Sequence, residues 1–207
     1  MTITNGYCTL ADVKANNRLN INDSDSVSDD MLEAIVEAVS RKIDDETHRF
    51  FYTTSSQSRW YTPLNSEYVF IDDIPTDSDL VIAIDTNDDG TVDDTFTTAD
   101  YVLEPYNAPL DGWPYQKITR RKAGQFLFPK GADKSVKVIS PFGWVAVPKP
   151  IIEATKLHVE RIFMFAQTPL GSLSMTALGK MTINVPDLEK DVLRMIDVYI
   201  KKRSGFG

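Results

Sequence analysis

Apolar residues recur at intervals of three and four through SDDMLEAIVEAVSRKIDDETHRFF, positions 28–51. Met31, Leu32, Ile35, Val36, Val39 and Ile43 fall on one stripe at the helical period. Ser28 is the expected N-cap, and Asp29 and Asp30 put negative charge beside the free N–H groups of the first turn. Arg41, Lys42, Glu33, Glu37, Asp44 and Asp45 take the opposite flank, a solvated face. Such a helix is about 30 Å long, enough to serve as a spine, and it carries no chemistry. Upstream, Thr9-Leu-Ala-Asp12 has the pattern of a capping box with Asp in the Glu position, which predicts a short helix reaching about Leu19. Residues 20–27, NINDSDSV, then read as a polar loop.

After Phe51 the period changes. Arg59-Trp60-Tyr61, Tyr68-Val69-Phe70-Ile71, Leu80–Ile84, Thr95–Thr97 and Tyr101–Leu103 are aromatic or β-branched runs bounded by Pro, Asn, Gly and Asp. Gln116–Thr119, Gln125–Phe128 and Val136–Ser140 continue the series, which predicts a compact antiparallel β unit. At Pro148-Lys-Pro150 the helical period returns. Ile151, Ile152, Thr155, Val159, Ile162, Phe163 and Ala166 share a face that leaves His158 to one side. Pro169 and Gly171 end that helix. A last one is expected from Pro186 or Asp187, with Leu188, Val192, Met195, Ile196 and Tyr199 inward. The pattern therefore predicts an α+β chain: an antiparallel core of about four helices, formed by residues 1–52 and 148–207, with an antiparallel β unit inserted at 53–147.

With 207 residues, 42% hydrophobic and 25% charged, the chain is long enough to bury a sizeable core. No run approaches a membrane span, and MTITNGYCTL lacks the basic flank and apolar core of a signal peptide, so folding in the cytoplasm is expected. The lone Cys8 reads as a packed apolar residue. The net charge of −8 is uneven. Residues 1–100 hold 21 acids against 6 bases, and residues 101–207 hold 9 against 16. That polarity suits recognition between copies or with a partner, or else reflects acids in solvated loops, and overall acidity argues against a sequence-reading DNA binder.

Candidate chemistry is sparse. Asp85, Asn87, Asp89, Gly90 and Asp93 match positions 1, 3, 5, 6 and 9 of a calcium loop, but the twelfth position is Phe96 where a bidentate Glu belongs. An Asp-Gly turn between two strands calls for the same residues and is the favoured reading. The alternative is a calcium-dependent binding module or hydrolase built on 85–93. His48 and His158 have no Cys/His cluster at metal spacing and no phosphate loop accompanies them, so no cofactor and no catalytic residue is assigned. Lys117, Arg120, Arg121 and Lys122, near Trp113 and Tyr115, fit a single-strand platform, a charge-defended strand edge or a subunit contact.

Four features in fixed order carry a resemblance. They are Tyr7-Cys-Thr-Leu-Ala-Asp-Val-Lys14, the ending ID-x-x-T-x-R-x-F-Y from Ile43 to Tyr52, Phe142-Gly-Trp144 followed by Val147-Pro148 and Ile151, and the basic end of the last helix. Together they resemble the head–tail connector (neck adaptor) proteins of tailed bacteriophages. The resemblance implies a non-enzymatic virion protein, assembled in the host cytoplasm into a ring of twelve copies. Such a ring joins the portal to a stopper or tail-completion protein and lets DNA pass without sequence-specific grip or membrane contact. It also implies portal docking by the C-terminal segment, through Tyr199, Lys201, Lys202, Arg203 and Phe206. The small-residue loop 171–185, with Gly171, Ser172, Ser174, Thr176, Gly179 and Lys180, is expected to face the channel or the stopper. The acidic β insertion is longer than in smaller members of that family.

Overall fold

The computed structural model describes residues 3–15, 26–166, 174–175, 181–182 and 187–201. The fold is α+β, with four helices and antiparallel sheets. The chain divides into two compact units, one of Met1–Phe50 with Val147–Gly207 and one of Phe51–Ala146.

The first unit contains α1 (Leu10–Lys14), α2 (Ser26–Thr47), α3 (Lys149–Ala166) and α4 (Lys190–Ile196). It also holds a two-stranded ladder, β8 (Ser174–Met175) with β9 (Met181–Thr182). Thr9 and Asp12 form a reciprocal capping box, each side chain accepting the other's backbone N–H. In α2, Leu32, Ile35, Val36, Val39 and Ile43 are fully buried, as the stripe requires. Its start lies two residues earlier than expected, so Ser28 stands within the first turn and is not the cap. It also ends earlier, because His48 adopts φ +53° and turns the chain out of the helix after Thr47. The hydroxyls of Ser40 and Thr47 are buried and donate to the carbonyls of Val36 and Ile43, both at 2.7 Å.

Helix α3 begins after Pro148, whose carbonyl accepts from Ile151 and Ile152. His158 is 1% exposed and lies in line with Ile151 and Ile162, not off the stripe. Ala154 and Thr155 are buried as well, and Thr155 Oγ1 donates to the Ile151 carbonyl at 2.8 Å. Helices α2 and α3 pack on each other, α3 meets α4, and α1 meets α2 and α3. Helix α4 begins later than Pro186 or Asp187. The acids ahead of it are engaged elsewhere: Asp187 pairs with Lys42 at 2.8 Å, and Glu189 with Arg161 at 3.1 Å. Met195 is half-buried, whereas Leu188, Val192, Ile196 and Tyr199 are buried. Among the described residues no helix is long and apolar enough to cross a membrane.

The second unit holds seven strands. They are β1 (Gln57–Tyr61), β2 (Tyr68–Ile74), β3 (Val81–Ile84), β4 (Asp94–Thr95), β5 (Tyr101–Glu104), β6 (Tyr115–Arg120) and β7 (Val136–Ser140). One antiparallel sheet has the order β1-β7-β3-β4 and the other β2-β6-β5. Alternation along each strand sends Val136, Val138, Ile82 and Ile84 inward from the first sheet, and Val69, Ile71, Ile118 and Leu103 inward from the second. Gln125–Phe128, expected as a strand, is irregular. Its N–H groups go to the Asp100 carboxylate and the Ser66 carbonyl, and Phe126 and Phe128 pack on Phe96. The ends of this unit are tied to each other. Thr54 N–H donates to the Phe142 carbonyl at 2.8 Å, Phe142 N–H donates to Thr54 Oγ1 at 3.0 Å, and Thr53 Oγ1 donates to the Trp144 carbonyl.

Candidate functional site

The segment after α4 is built into the first unit before it reaches its basic end. A 3-10 turn, Asp197–Tyr199, leads to Lys201. The Tyr199 side chain is buried, and its carbonyl accepts Arg49 Nε at 2.7 Å. Lys201 N–H donates to the Thr47 carbonyl at 2.8 Å, which satisfies the open C-terminal end of α2. Of the five residues expected at the portal, Tyr199 is thus a buried anchor and Lys201 is half-buried beside it. Lys202, Arg203 and Phe206 lie outside the described residues. Of the channel-loop residues, Ser174 lies in β8, and Gly171, Ser172, Thr176, Gly179 and Lys180 lie outside the described residues.

The 85–93 loop joins β3 to β4 and is held by its own carboxylates. Asp85 Oδ1 accepts from the N–H groups of Asn87 and Asp88, and its Oδ2 from Gly90 at 2.8 Å. Asp93 Oδ2 accepts from both the backbone and the hydroxyl of Thr86, and Asp89 Oδ1 likewise from Thr91. The Thr91 bonds hold the Asp89 carboxyl below its ordinary pKa. Asp88 and Gly90 take positive φ, which the tight turn demands. At the position where a calcium loop places its bidentate Glu, Phe96 is buried against Phe126 and Phe128. Among the described residues no group of three or more His, Cys, Asp or Glu side chains is arranged to hold a metal ion.

The basic cluster is divided. Lys117 pairs with Glu104 at 2.7 Å and Arg120 with Glu67 at 3.0 Å. Arg121 Nε donates to the Tyr101 carbonyl, while Lys122 is exposed. Two of the four cations are therefore already matched across the sheet, which favours a strand surface stabilised by charge over a nucleic-acid platform. Cys8 is buried, and desolvation pushes its thiol up to about 12, so it is an inert core group. A polar latch lies beside it. Tyr7 donates its hydroxyl to the Asp44 carboxylate, Tyr7 N–H donates to Ser40 Oγ at 3.0 Å, and Arg41 Nε pairs with Asp44 at 2.9 Å. Sequence spacing concealed this triad, since Tyr7 and Asp44 are far apart in the chain.

No constellation of nucleophile, base and oxyanion donor comes together at any of these places, and the arrangement is one of surfaces and anchors. Solved structures with a similar fold are found. The fold is similar to that of a chain in the necks of gene transfer agent particles. In the neck of the empty particle, computed with C6 symmetry, the match has a TM-score of 0.56 at 15% identity and covers 100% of this chain and 96% of that one. In the virion of the native gene transfer agent particle the TM-score is 0.55 at 16% identity, with the same coverage. In the neck of the native particle, computed with C12 symmetry, the TM-score is 0.53 at 13% identity, again covering 100% and 96%. No protein-family model and no curated protein matches the sequence.

Proposed function

We propose that this chain is a structural subunit of a phage-like virion neck, not an enzyme. In this reading it forms an adaptor ring that joins the portal to the stopper or tail and extends the DNA channel. The observation that carries the reading is the end-to-end likeness to chains in gene transfer agent necks, at TM-scores of 0.53–0.56 over the whole of this chain. The C6 and C12 symmetry of those necks supports a ring of copies. The sequence pattern supports it independently, through the Tyr7–Lys14 opening, the ID-x-x-T-x-R-x-F-Y run from Ile43 to Tyr52 and Phe142-Gly-Trp144 in the same order.

The helices form the core of the subunit and the β unit is its insertion. The tail from Lys201 onward, with Lys202, Arg203 and Phe206, docks on the portal, held in position by buried Tyr199 and by the bond from Lys201 to α2. The 171–185 loop faces the channel or the stopper. DNA passes without base recognition, and assembly takes place in the host cytoplasm. Mixing the purified chain with its portal protein and imaging the product by cryo-electron microscopy tests the proposal. A ring of copies on one face of the portal is the expected result; absence of both ring and portal binding would reject it.

A further inference from the structure

Asn or Asp precedes glycine at three places in the chain: Asn5-Gly6, Asp89-Gly90 and Asp111-Gly112. Such a pair can close a five-membered ring on itself, because glycine has no Cβ to shield its backbone nitrogen. The fold treats the three differently. Gly90 N–H donates to Asp85 Oδ2 at 2.8 Å and Gly112 N–H to the Pro109 carbonyl at 3.3 Å, so both nitrogens are engaged. Asp89 Oδ1 accepts from Thr91 N–H, and an ionised carboxylate is in any case a poor electrophile. Among the described residues Gly6 N–H forms no hydrogen bond, and neither does the exposed side-chain amide of Asn5.

The neighbourhood favours reaction there. Arg41 Nη2 donates to the Asn5 carbonyl at 3.0 Å. That carbonyl belongs to the Asn5–Gly6 peptide. When Gly6 N–H gives up its proton, the charge spreads onto this oxygen, where the guanidinium stabilises it. Asn65, Asn87 and Asn107 are followed by Ser66, Asp88 and Ala108, each with a Cβ beside the nitrogen. The Asn65 and Asn87 side chains are also held, as acceptors for Glu67 N–H and Asp89 N–H.

We propose that Asn5 is a site of spontaneous modification that releases the segment ahead of α1 from α2. Gly6 N loses its proton to solvent and attacks Asn5 Cγ. The Gly6 N–Cγ bond forms, the Cγ–Nδ2 bond breaks, and the nitrogen takes up a proton and leaves as ammonia. Water then opens the succinimide at one carbonyl or the other, giving aspartate or isoaspartate. The isoaspartate main chain runs through Cβ and is one atom longer. The segment has no room for that atom, since even a Cβ on Gly6 would collide with Ile3 Cγ2 and lie 3.0 Å from Val36 Cγ1. The next residue is Tyr7, whose N–H donates to Ser40 Oγ at 3.0 Å and whose hydroxyl donates to Asp44. The displacement therefore reaches the latch on α2, whether or not the chain works in a ring.

Ageing the folded full chain at mildly alkaline pH tests this, read by tryptic mapping and by hydrogen exchange at the Tyr7 amide. The peptide Met1–Lys14 contains Asn5 as its only asparagine. Aspartate and isoaspartate forms of that peptide should accumulate, faster as pH rises, while the peptides carrying Asp89, Asp111, Asn65, Asn87 and Asn107 stay as they were. The Tyr7 amide should exchange faster in aged than in fresh protein. Asn5→Gln, whose longer side chain closes a ring far less readily, should show neither change on ageing. Fresh Asn5→Asp carries the charge without the extra atom and should keep the Tyr7 amide protected. A folded chain in which Asn5 stays intact, or in which Asp89 or Asp111 isomerises as fast, overturns the proposal. So does an aged chain whose Tyr7 amide exchanges like the fresh one, a fresh Asn5→Asp that has already lost protection, or an Asn5→Gln that loses it on ageing.

Discussion

Trp144 donates its indole N–H to the Asp73 carboxylate at 3.0 Å, and both side chains are buried. The contact joins residues 71 apart in sequence. Gly143 N–H adds a second bond, to the Asp73 carbonyl at 2.7 Å. The indole itself packs beside Phe51 and Trp113, with ring centroids at 5.2 and 5.1 Å. Trp144→Phe keeps much of that packing and removes the donor from a buried carboxylate. The expected loss is about 2 kcal/mol in urea unfolding, the cost of leaving a charged acceptor short of a partner. A loss indistinguishable from zero would show that water reaches Asp73.

Asp44 makes stability depend on pH in an unusual direction. Desolvation raises its carboxyl from 3.8 to about 6, against the opposing pull of Tyr7 and Arg41. The native state therefore binds this proton more tightly than the unfolded chain does. Its contribution becomes more favourable as pH falls through about 6 and levels off below the unfolded value of 3.8. Across that window the wild type should gain about 2 kcal/mol relative to Asp44→Asn, which has no proton to bind. Melting curves of the two proteins at several pH values check this, and parallel profiles would contradict it.

Asp85→Ala withdraws the acceptor for three backbone N–H groups of the β3–β4 turn. A loss of about 2–3 kcal/mol is expected, since the donors stay in a turn that cannot turn them all to water. Calcium should not raise the melting temperature of the wild type, because Phe96 occupies the place of the bidentate ligand and is buried. A calcium-dependent stabilisation of a few degrees would reverse that expectation.

Deletion of residues 202–207 should leave the fold intact, because the bond from Lys201 N–H to Thr47 remains. Co-sedimentation with the portal should be lost, and in the full-length protein it should weaken with added salt as exposed charges are screened. Full binding by the truncated chain would move the docking surface elsewhere.

Local pattern was enough for elements whose burial follows a single period. The α2 stripe, the Thr9–Asp12 box, and the alternation in Val136–Ser140 were legible because each is written within a few residues. His158 was not, since a polar letter beside an apolar stripe reads as solvent-facing and its burial shows only once the helices are packed. Phe126 and Phe128 imitate strand alternation, yet their positions are set by Phe96, thirty or so residues upstream. The candidate surfaces were least legible of all. Lys117 and Arg120 look like free cations in sequence and meet Glu104 and Glu67 only when the sheet is assembled. Tyr199 falls on the inward face of the last helix by its spacing and is buried, but the bond from Arg49 Nε to its carbonyl shows only in the folded chain.

The bonds between Thr54 and Phe142 bring the entry and the exit of the β unit within one hydrogen bond of each other, across 88 residues. Closing a loop of that length costs about 4 kcal/mol in chain entropy, and here the unit's own strands and staples meet that cost. To the chain on either side, the whole unit is then equivalent to a short turn. A module with this property is portable: it can be spliced out, shortened or exchanged for another whose ends meet in the same way, without lengthening the path its host must close. The sequence and surface of the β unit are thereby free to diverge while the helices on either side keep their own packing.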